Sequence, residues 1–187
     1  ARMRVLITVP CLRLPGGVAT YYRALRSHLP QDCTYFEIGA RPSESGLWTA
    51  VGRLSLDYLH FSRELAGTRY DLVHINPSLG THSLVRDGIL LLIARLRRRR
   101  VVVFFHGWDV ACETRIARRF RSLFCWVFGK ASAIVVLAAQ FQRTLTDWGI
   151  TVPISLETTT VEDALRAEDA AVLRERRVGD RCRILYL

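Results

Sequence analysis

The chain has 187 residues, 50% of them hydrophobic, with 12 glycines, 6 prolines and 27 basic against 17 acidic side chains, a formal net charge of +10. That length is one domain or two small ones and can bury roughly 70% of its unfolded surface, which excludes disorder, a collagen-like repeat and a core that needs disulfides or metal. Lys130 is the single lysine, so the basic excess is guanidinium, whose planar fork favours phosphate and carboxylate partners; arginine-biased codon usage would give the same count.

The chain begins with an apolar run, residues 5–9, that reaches Pro10 and then Pro15-Gly16-Gly17 too soon for the apolar region and cleavage site of a signal peptide. Short runs rich in Val, Ile and Leu then alternate with longer segments of helical period, the pattern of a parallel sheet covered by helices. Strands are expected at residues 4–9, 34–38, 72–75, 101–105, 133–137 and 152–156, and helices at 18–29, 47–66, 82–98, 112–128 and 139–148. The most apolar stretch, 89–94, is cut at Arg95, far short of the roughly 20 residues that cross a bilayer. The alternation predicts an α/β fold: a Rossmann-like, doubly wound, mainly parallel sheet with helices on both faces. Beyond it come a polar stretch, a charged helix expected over 161–177, a turn at Val178-Gly179-Asp180 and an apolar strand from Cys182. That strand is either an edge of the same sheet or the start of another domain. The cysteines, Cys11, Cys33, Cys112, Cys125 and Cys182, form no CxxC or Cys/His metal spacing; they read as reduced thiols of a cytosolic protein, packed as small apolar residues.

In such a sheet ligands bind at the carboxyl ends of the strands, and three loops qualify. Gly16 and Gly17 open a helix and allow close approach to its free N–H groups, which suits an anion; a plain tight turn is the alternative, and neither a GxGxxG nor a Walker A pattern is present. His106, at the end of the most apolar strand, can exchange a hydrogen bond with a ligand hydroxyl or phosphate. Asp109 either orients that imidazole or caps the next helix. In the third loop Asn76 and Ser78 can bond a sugar or phosphate, or form an Asx turn, with Thr81 expected to cap the helix from His82. No nucleophile elbow, carboxylate pair or metal cluster is apparent, which disfavours hydrolase chemistry.

Two basic clusters stand out. Arg115, Arg118, Arg119 and Arg121 form one expected helical face, with Ile116, Phe120, Leu123 and Val127 packing on another. Arg95, Arg97, Arg98, Arg99 and Arg100 close a helix, where cations are stabilised by its dipole. Both clusters suit an anionic membrane surface. Nucleic acid is disfavoured because the aromatics lie within apolar segments rather than between the arginines.

The order of these features resembles the amino-terminal domain of family 4 retaining glycosyltransferases of GT-B fold. The likeness rests on residues 3–7 with Pro15-Gly16-Gly17-Val18-Ala19, on Tyr70-Asp71-Leu72-Val73-His74-Ile75-Asn76, on residues 101–107 ending in His106-Gly107, and on residues 133–137 with Phe141 and Trp148-Gly149-Ile150. The resemblance implies that residues 1–160 form the acceptor-binding domain and that 161–187 are a linker helix and the first strand of a carboxy-terminal donor domain. It places Gly16 and Gly17 near the diphosphate of a nucleotide sugar and gives His106 a catalytic role toward the donor sugar or acceptor, with no cofactor or metal. It implies a glycan or lipid-linked acceptor, polysaccharide biosynthesis, a cytoplasmic location peripheral to the inner face of the plasma membrane, and no activity for the chain alone. Ala138 stands where the family often has serine, and residues 157–163 depart from its usual turn. A non-catalytic anion- or nucleotide-binding module is the alternative reading.

Overall fold

The computed structural model describes residues 3–41 and 47–158. Six parallel strands build the main sheet: β1 (Val5–Val9), β2 (Cys33–Glu37), β3 (Leu72–Ile75), β5 (Arg100–Phe105), β7 (Ala133–Val136) and β8 (Ile154–Leu156), in the order β2-β1-β3-β5-β7-β8. Two short strands, β4 (Ser78–Leu79) and β6 (Gly107–Trp108), pair with each other beyond the carboxyl ends of β3 and β5. The chain runs from β1 outward to β2 and returns past β1 to β3, so the winding reverses between β1 and β3. A crevice at that reversal is where an open α/β sheet receives ligands.

The helices are α1 (Gly17–Leu25), α2 (Leu47–Gly67), α3 (Thr81–Leu96), α4 (Val110–Arg115), α5 (Arg121–Phe128) and α6 (Ala139–Trp148), with a π-helical turn at Ile116–Phe120 joining α4 to α5. They cover the sheet unequally. Phe61 and Leu65 of α2, Leu90 and Leu91 of α3, Phe124 and Phe128 of α5 and Leu145 of α6 share one core with Val73, Val103, Phe105 and Ile134 of the sheet. Among the described residues only α1 packs on the opposite face, where Tyr22 meets Val5, Ile7 and Val9. Strand alternation sorts the side chains: Phe105 faces the large core and is fully buried, while Phe104 faces the α1 side. Burying a side chain of that size stabilises the fold by about 1.5–3 kcal/mol.

Glycine decides two local features. Gly149 ends α6 with φ 102, its N–H and that of Ile150 returning to the carbonyls of Thr146 and Leu145. In α3, a Cβ on Gly88 would lie 3.2 Å from Val127 Cγ1, so the missing side chain lets α3 and α5 approach.

Several expectations need correction. The helix expected at 112–128 begins at Val110 and is broken by the π-helical turn, which inserts a residue and rotates the face of α5 by about 100° relative to α4. Arg115, Arg118, Arg119 and Arg121 therefore do not form one face. Arg115 donates to Thr81 Oγ1 of α3 at 3.0 Å, whereas Arg121 donates to the Trp148 carbonyl at the end of α6 at 2.9 Å. Phe120 and Leu123, expected to pack, are exposed. Thr81 is the first residue of α3 rather than its cap; Gly80 holds the cap position with no side-chain bond.

The Arg95–Arg100 run is also largely structural. Arg98 N–H bonds the Arg95 carbonyl and Arg99 N–H the Ala94 carbonyl, closing α3 with a left-handed residue, Arg98, at φ 57. Arg99 then donates to the carbonyls of Leu65 and Thr68 at the end of α2, and Arg97 to Ser62 Oγ. The segment expected as a linker helix and strand, 161–187, lies outside the described residues.

Candidate functional site

The crevice between β1 and β3 holds a polar unit built on Asn76, the first residue after β3. Its Nδ2 donates to the Thr8 carbonyl of β1 at 2.7 Å, and its Oδ1 accepts from the Tyr22 hydroxyl of α1 at 2.7 Å. His106 Nε2, from the residue after β5, lies 3.1 Å from the same Oδ1. Asn76 is buried, and every polar atom of its amide has a partner.

This network fixes the proton on His106. A backbone carbonyl only accepts, so the Asn76 amide must turn its NH2 to Thr8 and its oxygen to Tyr22 and His106. That oxygen only accepts, so Nε2 must carry a hydrogen. Burial, with a smaller contribution from His74 nearby, lowers the His106 pKa from 6.5 to about 4. The ring is therefore neutral at pH 7 and keeps Nδ1 as an unprotonated acceptor. Tyr22 is held neutral by its own burial, so it remains a donor.

Aromatic packing holds the ring in place. His106 lies 3.9 Å from the Phe104 ring centroid and 4.9 Å from that of Tyr21, the latter edge-on. Tyr21 and Tyr22 lie one turn into α1, so the amino terminus at Gly16-Gly17 is about 6 Å further along the helix axis. Nothing lies within 4 Å of a Cβ at either glycine. Gly16 caps α1 without a side-chain bond, and the first N–H groups of the helix have no intrahelical acceptor. Open space, free donors and the positive end of a helix dipole together suit an anion.

The backbone around His106 is set by the small β4–β6 sheet. His106 N–H bonds the Pro77 carbonyl, and β6 begins at Gly107. A Cβ on Gly107 would come within 2.9 Å of Ser78 Oγ and 3.1 Å of Ser78 Cβ, so pairing at this distance requires glycine. Ser78 N–H in turn donates to Ser83 Oγ, which donates to Asp87. Asp87, buried, also accepts two bonds from Arg86 at 2.9 and 2.7 Å.

The structure thus brings Asn76 and His106 into direct contact and sets Gly16 and Gly17 on the helix that carries Tyr21 and Tyr22. Asp109 does not orient the imidazole: it caps α4, accepting from Ala111 and Cys112 N–H at 2.8 and 3.2 Å. Ser78 belongs to the β4–β6 frame. Tyr21, Tyr22 and Thr8 are site residues that sequence reasoning did not single out; the signal for the tyrosines is two hydroxyl-bearing aromatics one turn after the paired glycines. Glu157, just past β8, lies near enough to Tyr21 to raise its phenol pKa further, beyond the effect of burial. Among the described residues no cluster of three or more His, Cys, Asp or Glu could hold a metal ion, and no helix is long and apolar enough to cross a membrane.

A family model described as a glycosyl transferase 4-like domain matches residues 2–155, a span that contains nearly the whole main sheet and every residue of the His106–Asn76–Tyr22 unit. The chain belongs to the glycosyl transferase 4-like family. It is a glycosyltransferase domain, and its parallel sheet is consistent with one half of a GT-B fold. No curated protein matches the chain. Within this family domain, the crevice at the winding reversal is the place where the geometry concentrates polar groups able to meet a ligand.

Proposed function

We propose that this glycosyl transferase 4-like domain receives the acceptor in a retaining sugar transfer from a nucleotide sugar to a glycan or lipid-linked hydroxyl. The observation that carries the reading is the His106–Asn76–Tyr22 unit. It presents a neutral imidazole with a fixed acceptor nitrogen, which can accept a hydrogen bond from a sugar hydroxyl and orient it. The Gly16-Gly17 turn offers backbone donors toward a diphosphate on the same side of the sheet.

In this reading His106 positions a hydroxyl and forms no covalent bond. The leaving phosphate of the donor takes up the acceptor proton as the new glycosidic bond forms and the bond from sugar to phosphate breaks. Neither metal nor cofactor is called for. The remaining donor contacts come from a second domain, so the 187-residue chain alone binds nucleotide sugars weakly and transfers nothing.

The test is a transfer assay with UDP-, GDP- and ADP-linked radiolabelled sugars, using the complete product of the gene and following label into lipid-extractable and polymeric fractions. His106→Ala is expected to lower transfer by about 100-fold or more. Unchanged transfer would remove His106 from the reaction. Titration calorimetry showing tight binding of a nucleotide sugar to the 187-residue chain would overturn the acceptor-side assignment.

A further inference from the structure

We propose that Glu157 and Tyr21 form, with His106, a subsite that seats one neutral, hydroxyl-rich sugar ring of the acceptor and turns away rings bearing a carboxylate or phosphate. The assignment rests on the acceptor-side reading of the crevice and adds to it a residue, Glu157, that sets which acceptors fit.

Strand register places these side chains. Phe105 of β5 is level with Val136 of β7, and Val136 with Leu156 of β8. The Glu157 N–H bonds the Val136 carbonyl at 3.0 Å, which carries the β7–β8 ladder one residue further. His106, Leu137 and Glu157 therefore lie at one level across three strands. Side chains alternate between the two faces of the sheet. Val103, Ile134 and Ile154, level with one another, pack in the large core, as do Phe105 and Val136 two residues on. One residue later, Glu157 falls on the α1 face together with His106. Two strand spacings, about 10 Å, separate their backbones, with half-buried Leu137 between them. Tyr21 borders this gap from α1: its ring stands edge-on to His106 at 4.9 Å and to Phe104 at 6.0 Å, and its phenol feels the Glu157 carboxylate. Glu157 is exposed and Tyr21 and His106 are half-buried, so a ligand can reach all three.

Glu157 is a carboxylate at this end of the sheet that the fold does not use. Glu37 at the end of β2 pairs with Arg41, Asp109 caps α4, and Glu113 accepts from Trp108 Nε1. Among the described residues, no hydrogen bond or ion pair engages the Glu157 carboxylate or the Tyr21 hydroxyl. An ionised carboxylate only accepts hydrogen bonds, and so does the unprotonated Nδ1 of His106. A ligand spanning them must donate at both ends. Sugar hydroxyls do so, and their bonds to a carboxylate are roughly twice as strong as neutral ones. The Tyr21 hydroxyl, which donates or accepts, suits either a hydroxyl or the ring oxygen. A carboxylate or phosphate on the ring would set acceptor against acceptor and bring a second negative charge beside Glu157. This local preference opposes the field of the whole chain, whose charge of +10 attracts anions, so experiment can separate the two.

NMR titration of the isotope-labelled 187-residue chain with methyl glycosides of glucose and galactose, and with the corresponding methyl glucuronate and galacturonate, tests this. A neutral glycoside is expected to shift the signals of His106, Tyr21 and Glu157 and to bind about tenfold or more tightly than its uronate. Glu157→Gln should bring that ratio within about twofold and weaken the neutral glycoside about fivefold, with an unchanged melting temperature because the side chain is exposed. Tyr21→Phe keeps the ring beside His106 and should weaken both members of a pair about threefold without altering their ratio. The role of Glu157 is overturned, and the acceptor crevice retained, if His106→Ala weakens a glycoside that Glu157→Gln still binds with the wild-type preference. A wild-type chain that prefers the uronates overturns that role as well. If no glycoside or uronate shifts His106 or Tyr21, the subsite and the acceptor-side reading fall together.

Discussion

His106 Nε2 meets Asn76 Oδ1 at 3.1 Å, and that contact determines which imidazole nitrogen a ligand can use. Asn76→Ala would leave the Tyr22 hydroxyl and His106 Nε2 unpaired in a largely buried crevice. The expected cost is about 2 kcal/mol or more, read as a lower denaturation midpoint. Asn76→Asp is the sharper variant: a carboxylate still accepts from both neighbours but favours the imidazolium, so the His106 pKa should rise from about 4. An NMR titration that finds it unmoved would show that Asn76 does not control the ring.

Stability should depend on pH through both crevice histidines. His74 is buried, with its Nε2 lacking a partner, and burial lowers its pKa from 6.5 to about 4; His106 is lowered to about 4 as well. A histidine depressed in the fold takes up its proton more readily when unfolded, so the unfolded chain binds more protons between these values. The stabilisation is therefore complete above about pH 6.5 and is lost as pH falls toward 4. Urea midpoints measured from pH 7.5 to 4 should decline over that window. His74→Phe should reduce the slope, and a midpoint equally flat in both proteins would contradict the burial of His74.

The Arg95–Arg100 run separates into side chains with opposite expected effects. Arg98 occupies a left-handed position at φ 57 that costs a non-glycine residue about 1–2 kcal/mol, part of which glycine would repay in chain entropy. Arg98→Gly should stabilise the protein by about 0.5–1 kcal/mol. Arg99→Met should destabilise it by about 1–2 kcal/mol, because the guanidinium bonds the Leu65 and Thr68 carbonyls that close α2. Thermal melts of the two variants moving in the same direction would refute this division.

These arginines also show where sequence reasoning stops. The sheet was legible because short runs of β-branched and aromatic residues such as Val101-Val102-Val103-Phe104-Phe105, bounded by turn residues and set between segments of helical period, read as buried strands, and the glycines and His106 fall at strand ends that topology makes important. Asn76 and His106 were both candidates, yet their contact, the Tyr22 hydroxyl and the Thr8 carbonyl depend on strands far apart in sequence. The π-helical turn at Ile116–Phe120 has no composition signal, so a helical wheel drawn through it misplaces Arg121 and sends Phe120 and Leu123 to the core. Charge clustering likewise could not reveal that Arg97 and Arg99 are occupied by α2, while Arg118 and Arg119 stand in solvent.

Gly107 offers a test of how the β4–β6 pair positions His106. Its ideal Cβ would lie 2.9 Å from Ser78 Oγ and 3.1 Å from Ser78 Cβ, both shorter than ordinary contact, so Gly107→Ala must push the two short strands apart. The hydroxyl can rotate away, but the Ser78 Cβ cannot, and overpacking of this kind costs about 1–3 kcal/mol. The shift should reach the neighbouring residue, changing the NMR signals of His106 as well as lowering the melting temperature. Ser78→Gly, which removes both clashing atoms, should restore most of the loss when combined with Gly107→Ala and cost little more than its own entropy alone. A double variant whose destabilisation is simply the two single effects added together would mean that Ser78 is not the atom group against which Gly107 is required.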